Sequence, residues 1–209
     1  MAAPVIEIAK ARASTLAKLE RGANAEEALR FFDGLPPMAA TDMIGSWRGG
    51  GLPTGHPLDG MLEAFGWRGK RFDGPEAVHP LVFGEPGALF SVNPSLAPLG
   101  LVLRYGRFFK SPALAPIARA SLRYLRTDKL KARLRMTEFR GVTSATMIYD
   151  SLPIHDVFRS VDADTALGLM ERRGDKAPDY FYFVLRREGA ATIPRSDEMT
   201  EPARAEQAV

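Results

Sequence analysis

The clearest pattern along the chain is a series of alternating or β-branched segments between residues 131 and 188. In KARLRMTEFRG, Ala132, Leu134 and Met136 alternate with basic residues, which is typical of a strand with one buried face. VTSATMIYD, IHDVFRSVD, TALGLMERRG and DYFYFVLRRE follow at spacings of roughly ten residues. Five strands spaced in this way predict an antiparallel meander.

The N-terminal part of the chain reads as helical and becomes extended near residue 43. Residues 5–22 are rich in Ala, Leu, Lys and Glu, and a second helix begins at Asn24, whose spacing to Glu27 fits a capping box. Gly34 and the prolines after it end that helix. HPLDGMLEAFGW predicts a further short helix. Extended pieces punctuated by glycine and proline predict strands at 43–49, 67–73, 78–83 and 87–92.

About nine strands, mostly antiparallel, favour a mainly β fold in which one sheet curls into a barrel of about 8–10 strands with flanking helices. A two-sheet sandwich is the alternative. Prolines and an amphipathic pattern at 94–127 predict a helical insertion between the two groups of strands. The predicted organisation is an N-terminal helical segment (1–40), a single barrel domain (41–188, with strand groups at 41–93 and 128–188) and a polar, disordered tail (189–209).

The composition narrows the class of protein. The chain is 45% hydrophobic and 25% charged, as is ordinary for a soluble globular protein. It contains no cysteine, which excludes disulfides, thiolate metal sites and a cysteine nucleophile. No segment resembles a signal peptide or reaches the ~18 apolar residues of a membrane-spanning helix, so a cytoplasmic location is expected.

The charge is unevenly distributed. Residues 104–140 contain eleven Lys/Arg and two acidic residues, although the whole chain carries only +3. A helix predicted at 113–126 has leucines on one side and arginines on another, which suits a lid over the barrel. Contact of this basic helix with anionic lipid is the alternative. Nucleic acid is not an expected partner, because aromatic residues are not interleaved with the basic ones.

The most unusual stretch is IGSWRGGGLPTGHPLDG, which begins at Ile44. A phosphate loop would lead into a helix through Lys-Ser/Thr, and this stretch lacks that ending and continues to Pro53. GSWRGG fits the signature Gly-x-Trp-x-Gly, and the segment from Gly45 through PTGHPLDG resembles the GXWXG domain family. The segment that contains MIYDSLPIHDVFRSVD resembles the domain of unknown function 4334, and the two resemblances together span roughly residues 25–188.

The resemblance implies structural roles for two residues of the signature. Lipocalin-like barrels, including the fatty-acid-binding and nitrobindin-type branches, also begin with Gly-x-Trp. The similarity implies that Gly45 permits a bent, closely packed strand and that Trp47 plugs one end of the barrel. Nitrobindin-type proteins bind haem through a histidine near the C-terminus. No histidine follows His155 here, so no cofactor is expected, and haem ligation by His155 is the least favoured alternative.

Three histidines are candidates for chemistry, namely His56, His79 and His155. No two of them have ligand spacing on one helix or turn, so no metal site is expected. In GHPLDG, Asp59 follows His56 by three residues and would orient the imidazole as a general base. The alternative is that one of the two side chains caps the short helix.

Further candidates lie in the second group of strands. YDSLPIHD gathers Tyr149, His155 and Asp156 around one strand connection, although alternation after Pro153 would put His155 and Asp156 on opposite faces. The family resemblance favours a fixed role for Asp156 and Arg159, as an internal salt bridge.

Glu138 lies two and four positions after Met136 and Leu134, so unbroken alternation would put its carboxylate on the same, inward face of the strand. A lone inward carboxylate is costly. Pairing with Arg140 would reduce that cost, and a bulge at Phe139 would instead turn the side chain out. A paired inward carboxylate is also what a ligand site would use.

The leading hypothesis is an intracellular carrier for a small hydrophobic molecule, such as a fatty acid, terpenoid or aromatic compound, held in a barrel cavity. The alternative is a cofactor-independent isomerase, lyase or hydratase with His56, Asp59 and Glu138 as its catalytic groups. The residues expected to contact the ligand are Trp47, Trp67, Met136, Tyr149, His155, Asp156 and Arg159.

Overall fold

The fold is known from a computed structural model that describes residues 2–96 and 119–189 of the 209-residue chain. The α-helices that lie wholly within these ranges are α1 (Ala2–Leu19), α2 (Ala25–Asp33) and α3 (Met61–Ala64), and residues 119–121 are also helical. The strands are β1 (Gly45–Gly51), β2 (Trp67–Gly74), β3 (Ala77–Phe83), β4 (Phe90–Ser91), β5 (Ala132–Phe139), β6 (Val142–Tyr149), β7 (Ile154–Asp162), β8 (Thr165–Arg172) and β9 (Phe181–Arg187). Each predicted strand position is confirmed within a few residues. Most of the predicted tail and the centre of the predicted insertion lie outside the described residues.

The strands form one antiparallel sheet that closes on itself. β5 to β9 are a meander, and β9 pairs with β1. β1 pairs in turn with β2, β2 with β3, and β3 with β5, which completes the ring, while β4 lies on the edge of β3. The mainly β, barrel-like fold is therefore confirmed, and the two-sheet sandwich is wrong.

The inside of the ring holds the larger apolar core. Alternate residues of the strands point into it, among them Trp47, Phe72, Phe158 and Phe183. Phe158 packs edge-on against the rings of both Phe72 and Phe183, with centroids 5.8 and 6.2 Å away. Burial of these aromatic side chains is a large part of the hydrophobic stabilisation of the fold.

A second core forms where α1 and α2 cover the outer face of β7, β8 and β9. Phe32 of α2 and Leu16 of α1 are buried there against strand residues such as Tyr182 and Val184. Because both faces of these strands are covered, their sequences read as nearly continuous apolar runs, as in YFYFVL. The capping box of Asn24 and Glu27 that begins α2 is confirmed.

In the second half of β5, the alternating pattern of the sequence no longer predicts which side chains are buried. Ala132 and Leu134 are buried inside the ring, as expected, but Met136 is 46% exposed and Glu138 is also exposed. In the described residues β3 pairs with β5 only at the bridge Val78–Ala132, so the second half of β5 extends beyond the closed part of the ring. The expectations that Met136 contacts a ligand and that Glu138 points inward are therefore wrong.

The Gly-x-Trp segment closes the ring by close backbone packing. Trp47 is 1% exposed, and its indole Nε1 donates to the Met43 carbonyl at 2.7 Å. Gly45 takes a φ of +120°, which favours glycine. Opposite this segment, a Cβ at Gly69 would lie 1.9 Å from the Trp47 carbonyl oxygen. The two strands approach this closely only because residue 69 has no side chain.

We expect Gly69→Ala to destabilise the fold by about 2–4 kcal/mol, because the added Cβ would overlap the Trp47 carbonyl and Gly69 holds a φ of +148°. Gly50→Ala is the matched control on the neighbouring strand, since no atom lies within 4 Å of its added Cβ. That control should change stability by at most about 0.5 kcal/mol. Urea unfolding of both variants measures the difference, and equal midpoints would contradict the close-packing account.

Candidate functional site

An apolar cavity of about 270 Å³ lies inside the ring, at the side where α3 and the segment after residue 119 pack against the sheet. Its size is near the lower end of the range for small-molecule pockets. β2, β3, β7 and β9 form part of its wall. Apolar side chains line most of it, including Leu62, Phe65, Leu81, Leu125, Met170 and Phe181. Leu58, Leu62 and Phe65, which lie in and around α3, all line it.

The polar part of the wall is a buried ion pair. Lys70 Nζ lies 2.7 Å from Asp156 Oδ2, and the two residues are 4% and 1% exposed. Lys70 also donates to the Pro80 carbonyl at 3.2 Å. The ammonium group lies 4.9 Å from the Phe183 ring centroid and 5.8 Å from that of Tyr149. The cation is therefore held by a carboxylate, a carbonyl and aromatic faces.

Burial changes the acid–base properties of this cluster. It raises the pKa of Asp156 above its usual value, while the nearby Lys70 ammonium opposes that rise. Burial also raises the pKa of Tyr149 well above its usual value, and the negative charge of Asp156 and the hydrogen bond between the phenol and that carboxylate add to this effect. The Tyr149 phenol is therefore neutral and serves as a hydrogen-bonding group rather than as an anion.

Two polar atoms of cavity-lining residues have no hydrogen-bond partner among the described residues. They are Nε1 of Trp67 and Oδ1 of Asp156, and the Asp156 carboxylate also has a hydrogen-bonding neighbour in the Tyr149 phenol. Trp67 is 7% exposed and packs edge-on against Phe183, with ring centroids 6.0 Å apart. Buried polar groups are nearly always paired in folded proteins, so the indole N–H of Trp67 is a candidate contact for a bound molecule.

The sequence pattern did not predict that Lys70 points into the ring, because β2 is irregular. Simple alternation from Trp67 would place residues 69 and 71 inside the ring and Lys70 outside. The pairing of β2 with β3 shifts register on both sides of Gly69, and this bulge turns Lys70 toward the cavity. A single glycine within a strand pattern is the signal that would have indicated the bulge.

His56 and Asp59 lie near the cavity but do not line it. Asp59 Oδ2 accepts from the backbone N–H groups of Thr54 and Gly55, each at 2.8 Å. The His56 ring packs on Phe181 at 5.5 Å, and its Nδ1 is 3.2 Å from the Leu58 backbone nitrogen. Both side chains thus organise the loop before α3, but neither caps that helix, whose N-cap residue is Gly60 and which receives no side-chain cap hydrogen bond, so the capping alternative is wrong.

The remaining predicted site residues divide between the two faces of the sheet. Trp67, Tyr149 and Asp156 line the cavity, so their contact with a ligand stays a prediction, whereas Trp47 is buried in the core without lining it. His155 faces outward on β7, with its side chain 48% exposed and Nδ1 3.8 Å from Glu171 Oε2. His155 is therefore not placed to contact a ligand or a haem inside the ring.

Arg159 also lies on the outer face, so the expected salt bridge with Asp156 is wrong. The two residues are three positions apart on β7, and alternation sends them to opposite sides of the sheet. The Arg159 guanidinium lies 5.2 Å from the Phe32 ring centroid under α2, and its Nη2 donates to the Phe139 carbonyl at 3.1 Å.

The third histidine belongs to a small polar cluster away from the cavity. His79 Nδ1 lies 2.9 Å from Ser91 Oγ, and His79 Nε2 lies 3.7 Å from Asp73 Oδ2. Burial lowers the pKa of His79. Across residues 2–96 and 119–189, no three His, Asp or Glu side chains cluster as they would around a metal ion. Within the same ranges, no helix is long and apolar enough to cross a membrane.

The fold and the cavity define a barrel-like antiparallel β protein with a mostly apolar interior pocket. The chain belongs to the GXWXG family, in the form that continues into the domain of unknown function DUF4334. The model of the GXWXG protein family matches residues 30–87, and the DUF4334 model matches residues 130–187.

A solved structure is similar to this chain over most of its length. The crystal structure of a protein from Thermomonospora curvata is 31% identical in sequence and has a TM-score of 0.62. The similarity covers 88% of this chain and 99% of that one. No curated protein matches the chain.

We expect Lys70→Met to destabilise the protein by about 3–5 kcal/mol, because it leaves the Asp156 carboxylate buried without its cation. The double variant Lys70→Met/Asp156→Leu should recover most of that loss, since it removes both charges together. Denaturant unfolding at neutral pH measures both. A Lys70→Met variant as stable as the natural protein would show that the ion pair is not desolvated.

We also expect the stability contribution of His56 to depend on pH. Burial lowers its pKa below 6.5, against the opposing effect of Asp59, so the folded state holds the proton less tightly than the unfolded chain. The contribution is fully present above about 6.5 and is lost as the pH falls toward the lowered value. The stability advantage of the natural protein over His56→Gln should therefore shrink on acidification, while the titration of His79 cancels between the two. A constant or growing advantage in urea unfolding would contradict this placement of His56.

Proposed function

We propose that the protein binds and carries a small, mostly hydrophobic molecule in the cavity inside the ring. The observation that carries this proposal is the apolar cavity of about 270 Å³ with one buried polar cluster, Lys70, Asp156 and Tyr149, in its wall. Pockets for small molecules are typically apolar with a few polar groups that fix orientation. Closed barrels of about eight strands are large enough to hold one such ligand, as lipocalin-like barrels do.

The described part of the basic segment supports a covering role over this cavity. Leu122 and Leu125 line the cavity, whereas Tyr124 between them is 89% exposed. The backbone N–H of Asn93 donates to the Leu125 carbonyl at 2.9 Å, which fixes the segment to the end of β4. Residues 119–121 are helical, as predicted, and Leu122–Leu125 follow as a 3₁₀ turn. Residues 113–118 of the predicted basic helix lie outside the described residues, so its contact with anionic lipid stays a prediction.

The three residues expected to act as acids and bases in the enzyme hypothesis do not line the cavity. His56 and Asp59 do not line the cavity, and Glu138 is exposed on the extended half of β5. An enzyme acting in this cavity would have to use Lys70, Asp156 or Tyr149 instead. The carrier function needs only the apolar wall and a polar anchor, and the cavity offers both.

We expect Leu125→Trp to weaken binding of the neutral fluorescent probe prodan by about tenfold or more, because the larger side chain would occupy the cavity. Tyr124→Trp is the matched control, since it places the same side chain on the exposed side of the same turn. Fluorescence titration of the full-length chain measures both affinities.

A second measurement identifies the natural ligand. Solvent extraction of the purified protein followed by mass spectrometry should recover a small apolar compound from the natural protein and less of it from Leu125→Trp. Equal prodan affinity in both tryptophan variants would show that the probe binds elsewhere. Failure of the natural protein to bind prodan or any other apolar compound would reject the carrier function.

A further inference from the structure

The charged groups in the cavity wall are partnered by the protein itself. Lys70 Nζ lies 2.7 Å from Asp156 Oδ2 and donates to the Pro80 carbonyl at 3.2 Å. The Asp156 carboxylate has a second hydrogen-bonding neighbour in the Tyr149 phenol, which donates to it because an ionised carboxylate can only accept. Both charged groups therefore have their partners within the wall before a ligand enters.

Aromatic rings surround the ammonium group on its other sides. Lys70 Nζ lies 4.9 Å from the ring centroid of Phe183, 5.7 Å from that of Trp67 and 5.8 Å from that of Tyr149. A cation near an aromatic face is attracted by the negative centre of the ring. The Lys70 charge is thus stabilised without an anion supplied by a ligand.

The ion pair leaves the wall without net charge. Among the cavity-lining residues that the structure describes, Lys70 and Asp156 are the charged ones. Opposite charges 2.7 Å apart largely cancel for a ligand elsewhere in the cavity, since attraction to one is offset by repulsion from the other. A charged ligand gains little from the pair, although its transfer from water into an apolar cavity is costly.

We propose that the Lys70–Asp156 pair makes the cavity selective for uncharged molecules, so that the carried compound is a neutral, hydrocarbon-like molecule and not a fatty acid. The apolar wall holds the hydrocarbon part of the molecule. A neutral polar group such as a ketone loses far less than an ion on leaving water. This inference rests on the carrier function and specifies its ligand class.

A lysine alone in an apolar cavity would suit the carboxylate of a fatty acid. In this cavity Asp156 already holds that position, and it is a fixed part of the wall that is 1% exposed. A ligand carboxylate would have to displace Asp156 or share Lys70 with it, and neighbouring carboxylates repel each other. The protein thus supplies its own counter-ion, which disfavours an anionic ligand.

The test is calorimetric titration of the full-length protein with methyl nonyl ketone, decanoate and decylammonium at neutral pH. The ketone and decanoate have the same number of non-hydrogen atoms, whereas decanoate and decylammonium carry opposite charges. Methyl nonyl ketone should bind about tenfold or more tightly than either ion, because only the ions lose the hydration of a charge in the cavity.

Asp156→Asn should change this selectivity. The amide keeps the shape of the carboxylate but leaves Lys70 without its counter-ion, so decanoate should bind about tenfold or more tightly than before, while the ketone affinity changes little. The matched control is Asp162→Asn at the end of β7, which removes the same charge from a residue that does not line the cavity. It should leave the affinities for all three compounds unchanged.

The double variant Lys70→Met/Asp156→Leu keeps the inference testable if Asp156→Asn does not fold. It removes both charges and should still bind the ketone more tightly than decanoate, because the wall stays without net charge. If Lys70 anchored a carboxylate, decanoate would bind tightly to the natural protein and lose most of its affinity in this variant. That result would overturn the inference.

The outcomes separate this inference from the carrier function. If none of the three compounds binds to the natural protein and prodan also fails to bind, the carrier function itself is rejected. If either ion binds to the natural protein as tightly as the ketone, the carrier function stands and the selectivity for uncharged molecules is wrong. Unchanged decanoate affinity in a folded Asp156→Asn variant would also overturn the inference, because the pair would then play no part in selection.

Discussion

The close approach of β1 and β2 is the constraint on which both the fold and the cavity depend. Gly69 lies so near the Trp47 carbonyl that a Cβ there would be 1.9 Å from the oxygen. This contact lets β1 pair with β2 on one side and with β9 on the other, which closes the ring. It also accompanies the register shift of β2 around Gly69. Because that shift turns Lys70 inward, one backbone contact determines both ring closure and the polar character of the cavity.

The buried ion pair that results is a poor source of stability. Removing two charges from water costs as much as or more than their attraction returns, and apolar replacements of buried pairs are often as stable. The fold draws its stability from the aromatic core around Phe72, Phe158 and Phe183 and from the apolar layer under α1 and α2. The contribution of Lys70 and Asp156 therefore lies in the chemistry of the cavity wall that they help to form.

The sequence predicted those features that depend on local pattern. Alternation, β-branched content and turn residues located every strand, and the spacing of Asn24 and Glu27 located the start of α2. Features that depend on neighbouring strands were not predictable from such patterns. Met136 is exposed because β3 leaves β5 after a single bridge, and Lys70 is buried because β2 bulges. Strand alternation alone places Arg159 and Asp156 on opposite faces of β7, because they are three positions apart. The family resemblance had suggested a salt bridge instead.

A binding cavity and an active site make different demands on a buried carboxyl group. A general base must be free to change its charge during the reaction, and its pKa must suit the proton that it takes. Asp156 is held by Lys70 at 2.7 Å, so its protonation would leave an ammonium group without a counter-ion among aromatic rings. The Tyr149 phenol beside it is also difficult to ionise, because it is buried. Coupling of this kind opposes proton transfer and suits a fixed polar anchor, which favours a carrier over an acid/base catalyst in this cavity.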